Sequence, residues 1–167
     1  MSDRYTTPVP TRSALITIDM QNDFTLEGAP ARIAGTAEIV PAMRIAIAAF
    51  RTAGRPIVHL IRLYKADGSN VDACRRAFVE GGAAIARPGS DGAELADALK
   101  PDAFQRLDRQ RLLAGEFQQL GPNEWALYKS RWSAFHATLL DATLRGWGVD
   151  TIVISGCNFP NCPRSTI

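Results

Sequence analysis

Three residues far apart in the chain, Asp19, Lys129 and Cys162, are of the types that covalent acyl transfer requires. A thiol attacks a carbonyl as its thiolate, and free cysteine has a pKa of about 8.5. A nearby ammonium favours the thiolate. A carboxylate within hydrogen-bond distance takes the thiol proton and later returns it to a leaving group. Pro163 directly follows Cys162 and suits the first helical position, so Cys162 is expected at a helix start, where unpaired N–H groups also favour the thiolate. Taken singly, Asp19 could cap the following loop and Lys129 could be a surface charge. Cys74 and Cys157 have no placed partner and read as small apolar core residues.

These residues need elements to carry them. ALITID (14–19) is a short apolar run between turn formers and reads as a buried strand. PIVHLIRLY (56–64), WALYK (125–129) and TIVIS (151–155) read as three more strands. Residues 37–53 space apolar side chains at three and four, which suits a helix with Pro41 in its first turn and Gly54 as its stop. A second helix is expected over 133–148, with Phe135, Leu139, Leu140, Thr143 and Leu144 on one face. VDACRRAFVEGG reads as a short helix, and 86–102 mixes loop with brief helix. Strands alternating with helices predict a three-layer α/β/α sandwich with a mainly parallel, Rossmann-like sheet. In such sheets ligands bind outside the carboxyl ends of the strands. Asp19 ends the first expected strand, Lys129 the third, and Cys162 follows the fourth through a short glycine-started loop, so a carboxylate, an ammonium and a thiol meet at one edge.

Three segments, ALITIDMQNDF, KSRWSAF and GCNFPNC, resemble in order the signatures of the isochorismatase-like cysteine hydrolases, a family that includes nicotinamidases and N-carbamoylsarcosine amidases. The resemblance runs from about residue 14 to Ile167 and is weakest over 65–120. It implies a triad with Asp19 as base, Lys129 as electrostatic partner and Cys162 as nucleophile. It also implies a cis peptide between Cys157 and Asn158, and an oxyanion hole built from the backbone N–H groups of Asn158 and Cys162. Nicotinamidases carry an Asp/His metal cluster after the second strand. Here Arg62, Leu63 and Tyr64 close that strand and no such cluster stands there, so no metal and no cofactor are expected, and nicotinamide is disfavoured as substrate. A zinc site of His59 with Cys157 and Cys162 would need an unusual ligand spacing. The family pattern continues past the cysteine through more helix and another strand–helix unit, so the 1–167 domain, with its arm over 1–13, is expected to lack that C-terminal part. An open sheet edge would then favour pairing into a homo-oligomer.

The remaining candidates concern substrate grip. Arg131 and Trp132 follow Lys129, and Arg62 and Tyr64 end the second expected strand. A guanidinium suits a bidentate grip on a carboxylate. Phe24, Trp132 and Phe159 are candidate apolar walls. The alternative for each is a surface arginine or a packing aromatic. Asp23 reads as a loop cap, His59 as a core histidine, His136 as partly exposed, and Arg164 as a turn-fixing charge.

Composition narrows the classes. Hydrophobic content is 46% and charged content 22%, as in globular domains. A net charge of +2 with scattered Lys and Arg gives no nucleic-acid footprint. No apolar run reaches membrane-spanning length. Three unevenly spaced cysteines fit a reducing, cytoplasmic setting. The leading expectation is a cysteine hydrolase cleaving a C–N bond of a small amide or ureido compound. The alternatives are a vinyl ether hydrolase and a non-catalytic subunit or binding module.

Overall fold

The computed structural model describes residue 3 and residues 5–167. Of the arm expected over 1–13, residues 1, 2 and 4 lie outside the described residues; Pro10–Arg12 form a 3₁₀ turn, and Ser13 already opens the first strand. Five strands follow in chain order: β1 (Ser13–Ile18), β2 (Ile57–Ile61), β3 (Gln118–Gly121), β4 (Glu124–Tyr128) and β5 (Thr151–Gly156). Six helices accompany them: α1 (Asn22–Thr25), α2 (Thr36–Thr52), α3 (Ala73–Glu80), α4 (Arg109–Leu113), α5 (Leu140–Gly146) and α6 (Cys162–Thr166).

The strands join into one sheet in the order β3-β4-β2-β1-β5. The pairs β1–β2, β1–β5 and β2–β4 are parallel, and β3–β4 is antiparallel. The sheet is therefore mixed, with one strand more than the sequence reading gave. β3 escaped that reading because QQLG is short and half polar, and it forms through a tight hairpin onto β4. β1 is buried along its whole length, as a central strand covered on both faces must be. Leu15 packs with Met43 and Ile47 of α2 on one face; Ala14, Ile16 and Ile18 pack with Leu140 and Leu144 of α5 on the other. β5 lies at the sheet edge, and Val153 is 43% exposed there.

Two helix expectations are corrected. Pro41 sits inside α2, not in its first turn, because the regular helix already begins at Thr36, directly behind Gly35. The regular helix expected over 133–148 shrinks to α5, since Ala137 takes a left-handed backbone and Leu139 is 61% exposed. Cys74, expected in the core, is exposed on α3.

A buried polar chain ties the layers together. Arg51 of α2 grips Glu124 through both oxygens at 2.7 Å each and also donates to the Leu99 carbonyl. His59 Nε2 donates to Glu124 Oε1 at 2.7 Å, and Thr17 bonds its Nδ1 at 2.7 Å. His59 is fully buried, so the core reading of this residue holds. Burial would raise the Glu124 carboxyl, but hydrogen bonds from Arg51 and His59 outweigh it and hold it below the ordinary range. A carboxyl depressed on folding contributes stability above its unfolded pKa, and that contribution is lost as pH falls through the folded one. Glu124→Gln is expected to cost about 2 kcal/mol at pH 7 and to lose less additional stability than wild type below about pH 4.3; urea midpoints from pH 7 to 3 measure this.

Gly156 closes β5 with φ of 137°, and a Cβ there would stand 2.2 Å from the Ile18 carbonyl oxygen. Gly156→Ala is expected to destabilise by about 3 kcal/mol or more, read as a fall in melting temperature. An unaltered melting temperature would show that β1 and β5 can separate to accommodate the methyl group.

Candidate active site

Every strand of the parallel set ends one residue before a group with chemistry. Asp19 follows β1, Arg62 follows β2, Lys129 follows β4 and Cys157 follows β5. The ladder extends to three of them: Asp19 N–H donates to Leu60, Lys129 N–H to Ile61 and Cys157 N–H to Ile18. Their positions are thus set by sheet register. From β1 the chain moves to β2 on one side and later returns to β5 on the other, which makes the end of β1 the switch point where a cleft forms.

Lys129 is fully buried and reaches past the end of β2 to Asp19, with its Nζ 3.0 Å from each carboxylate oxygen. Strands stand about 4.8 Å apart, so this crosses roughly 10 Å, which a lysine stem can bridge. Nζ donates to Oδ2; Oδ1, equally near, is out of line for a hydrogen bond and is left without one. Asp19 itself has φ of 54°, a left-handed backbone that a non-glycine residue rarely adopts. Its carbonyl accepts the Cys157 thiol at 3.3 Å.

Asp19, Phe24, Ile33, Arg62, Tyr64, Arg75, Trp132, Cys157, Asn158, Asn161 and Cys162 line the cleft. Its free space is about 20 Å³, room for a single water, so a substrate enters only if the mouth opens. Larger hollows lie beside β5 and beside α2, but they contain none of Asp19, Lys129 or Cys162. The peptide between Cys157 and Asn158 is cis. Neither the Asn158 nor the Cys162 backbone N–H donates a hydrogen bond among the described residues.

The Cys162 pKa is raised, against the pull toward the thiolate that a nearby ammonium exerts. Burial pushes it up, and the charge of Asp19 pushes the same way; Lys129 and Arg62 pull it down without cancelling the rise. Cys157 is pushed up to about 12, chiefly by burial and then by Asp19.

Of the residues expected from sequence, Asp19, Phe24, Arg62, Tyr64, Trp132, Asn158 and Cys162 line the cleft, with Lys129 buried against Asp19. Arg131 and Phe159 do not line it. Arg131 is exposed and donates to the Ser130 carbonyl beside it. Phe159 is 62% exposed at the tip of the 158–161 turn and borders the hollow beside β5. Arg164 is exposed, and no ion pair holds it among the described residues.

Gln21 and Arg75 were missed. Gln21, fully buried, accepts from the Arg62 N–H at 2.7 Å and donates to the Arg62 carbonyl at 2.8 Å and to that of Ala93 at 2.6 Å. Its place in the MQNDF run was the available signal. Arg75 reaches the cleft from α3, where nothing in the sequence marked it. Asp23 accepts the Ala86 N–H at 2.6 Å, so it fixes a loop as expected. No group of three or more His, Cys, Asp or Glu among the described residues could hold a metal. After β2, where nicotinamidases place theirs, a guanidinium, a leucine and a phenol offer no suitable donor set.

The mixed sheet, and the cleft at the ends of its parallel strands, define an α/β protein of the isochorismatase fold. The family model described as "Isochorismatase domain" matches residues 13–167, and the chain belongs to that family. A probable inactive nicotinamidase of Arabidopsis thaliana is 32% identical over 158 residues, covering 93% of this chain and 70% of its own. A ureidoacrylate amidohydrolase, RutB, of Methylorubrum extorquens is 30% identical over 168 residues, covering 93% of this chain; the chain spans 62% of that relative's length. Among solved structures, an isochorismatase family protein from Desulfovibrio vulgaris superposes with a TM-score of 0.78 at 36% identity, covering 93% of this chain and 72% of that one.

Since the Asp19 charge raises the Cys162 pKa, Asp19→Asn is expected to move the pH midpoint of Cys162 alkylation down by about one unit. Iodoacetamide rates against pH, in a Cys74→Ser background that removes the exposed thiol, measure it; an unmoved midpoint would separate the two residues electrostatically.

Proposed function

We propose that the chain is a cysteine-dependent hydrolase that cleaves a C–N bond of a small amide or N-carbamoyl compound. The observation that carries this reading is one buried carboxylate, Asp19, that holds an ion pair with Lys129, keeps one oxygen free of hydrogen bonds and bears electrostatically on the Cys162 thiol. Taking two charges out of water costs several kcal/mol per ion, so such a pair is poorly explained by stability alone. Similarity to an amidohydrolase that acts on ureidoacrylate supports the ureido class.

The steps follow from the protonation states. Cys162 rests as a thiol, so its attack and its deprotonation are coupled. The Sγ–H proton passes to Asp19 as the Sγ–C bond forms on the carbonyl carbon. The carbonyl π pair moves onto oxygen, where the N–H groups of Asn158 and Cys162 donate to it; each such donor contributes about 2.7–4 kcal/mol. The oxyanion collapses, the C–N bond breaks, and Asp19 returns its proton to the departing nitrogen. Water then attacks the thioester, giving a proton to Asp19, and the thiolate leaves and is reprotonated. Lys129 keeps Asp19 ionised and in place at the start of each half-reaction.

A second reading, a ligand-binding module without turnover, is favoured by the inactive nicotinamidase among the relatives. Ammonia release from a panel of small amides and ureido acids decides between them. Wild type is expected to release ammonia from at least one compound, and Cys162→Ala to lose at least about 10³-fold in kcat with an unchanged melting temperature. Turnover retained in Cys162→Ala would remove the thioester mechanism, and no turnover of any compound by wild type would leave the binding module.

A further inference from the structure

We propose that Arg62 selects the substrate by charge, its Nη1 group receiving a carboxylate that the substrate carries beside the scissile carbonyl. The proposal rests on the reading of this cleft as a substrate site. Arg62 is 2% exposed, and the structure gives its guanidinium a partner on one side only. Nη2 lies 2.8 Å from Asp72 Oδ2. Nη1 is buried with no hydrogen-bond partner. A buried donor left unpaired costs about 1–3 kcal/mol, and more when it belongs to a charged group. A ligand oxygen in the cleft would remove that cost.

The surroundings favour an anion over a neutral oxygen. Arg62 and Arg75 both line the cleft, and Lys129 lies beneath it; Asp19 and Asp72 are the carboxylates paired to this set. One positive charge is left in excess. Burial pushes the Tyr64 phenol pKa up, so the ring beside Arg62 stays neutral and offsets none of that charge. Low exposure strengthens the remaining field, because little water screens it.

Arg62 is also held rigidly, as a selecting residue needs to be. Gln21 clamps its backbone N–H and carbonyl, and Asp72 fixes Nη2. Its guanidinium carbon stands 5.7 Å from the Tyr64 ring centroid, within cation–π range. A planar guanidinium with one edge committed and the other open presents its free N–H groups in a fixed direction, at little entropic cost on binding.

Two alkylating reagents of nearly equal size test this without knowledge of the substrate. Iodoacetate carries a carboxylate and iodoacetamide a neutral amide; with each, the S–C bond forms as iodide leaves and the thiol proton is released. In the Cys74→Ser background, the iodoacetate-to-iodoacetamide rate ratio at Cys162 is expected to exceed that of free cysteine by about tenfold or more, and the iodoacetate rate to saturate. Taking the ratio cancels any change in the thiolate fraction. Arg62→Gln is expected to return the ratio to the free-cysteine value, and Arg62→Lys to restore part of it, since lysine keeps the charge but not the fork. A wild-type ratio equal to that of free cysteine, or an elevated ratio unchanged in both variants, would overturn the proposal. If Arg62→Gln does not fold, the wild-type ratio and Arg62→Lys still decide. Ammonia release is read separately: a saturable iodoacetate preference without turnover keeps the anion role and removes hydrolysis, and turnover without the preference does the reverse.

Discussion

The cleft depends on one interaction, the ion pair between Asp19 and the fully buried ammonium of Lys129. Each partner sits directly after a parallel strand, and sheet register sets how far apart they stand. A lysine stem bridges the gap, and the carboxylate is held by a hydrogen bond on one oxygen with the other left unpaired. The same carboxylate raises the pKa of Cys162. In the proposed reaction this couples base and nucleophile: the proton that Asp19 discourages from leaving for solvent is the one it would accept.

A polar framework holds this arrangement in place. Gln21 joins the segment after β1 to the end of β2, and Arg51, Glu124, His59 and Thr17 link α2 to the strands beneath it. Buried groups of this kind stabilise only when each finds a partner, and nearly all here do. Among the described residues, the buried side-chain atoms left unpaired are Thr25 Oγ1, Asp19 Oδ1 and Arg62 Nη1. Two of these three belong to residues lining the cleft, which is where unpaired groups can be completed by a ligand.

The fold was legible wherever burial leaves a continuous apolar run. ALITI, IVHLI and TIVIS each became a strand of the parallel set. QQLG did not read as a strand because its stability comes from pairing with β4 and not from its own pattern. The long second helix was overcalled for the converse reason: the apolar spacing over 133–148 continues through a turn whose backbone is not helical. Asp19 and Lys129 stood out as charged residues directly after expected strands, and Cys162 as the cysteine before Pro163 beyond the last one; Asp19 and Cys162 share the cleft, with Lys129 buried against Asp19. Arg131 and Phe159 are near Lys129 and Cys162 in sequence, but both are exposed and neither lines the cleft.

Composition, periodicity and residue type thus determined the α/β class and most of the strands, and singled out Asp19, Lys129 and Cys162 as candidates, because these are properties of local pattern. The tertiary structure alone decided that the Cys162 pKa is pushed up and not down, since it depends on burial and on a charge 143 positions away in sequence. It alone made Gln21 the clamp of Arg62 and left one edge of that guanidinium open, since both follow from contacts between segments that no spacing along the chain brings together.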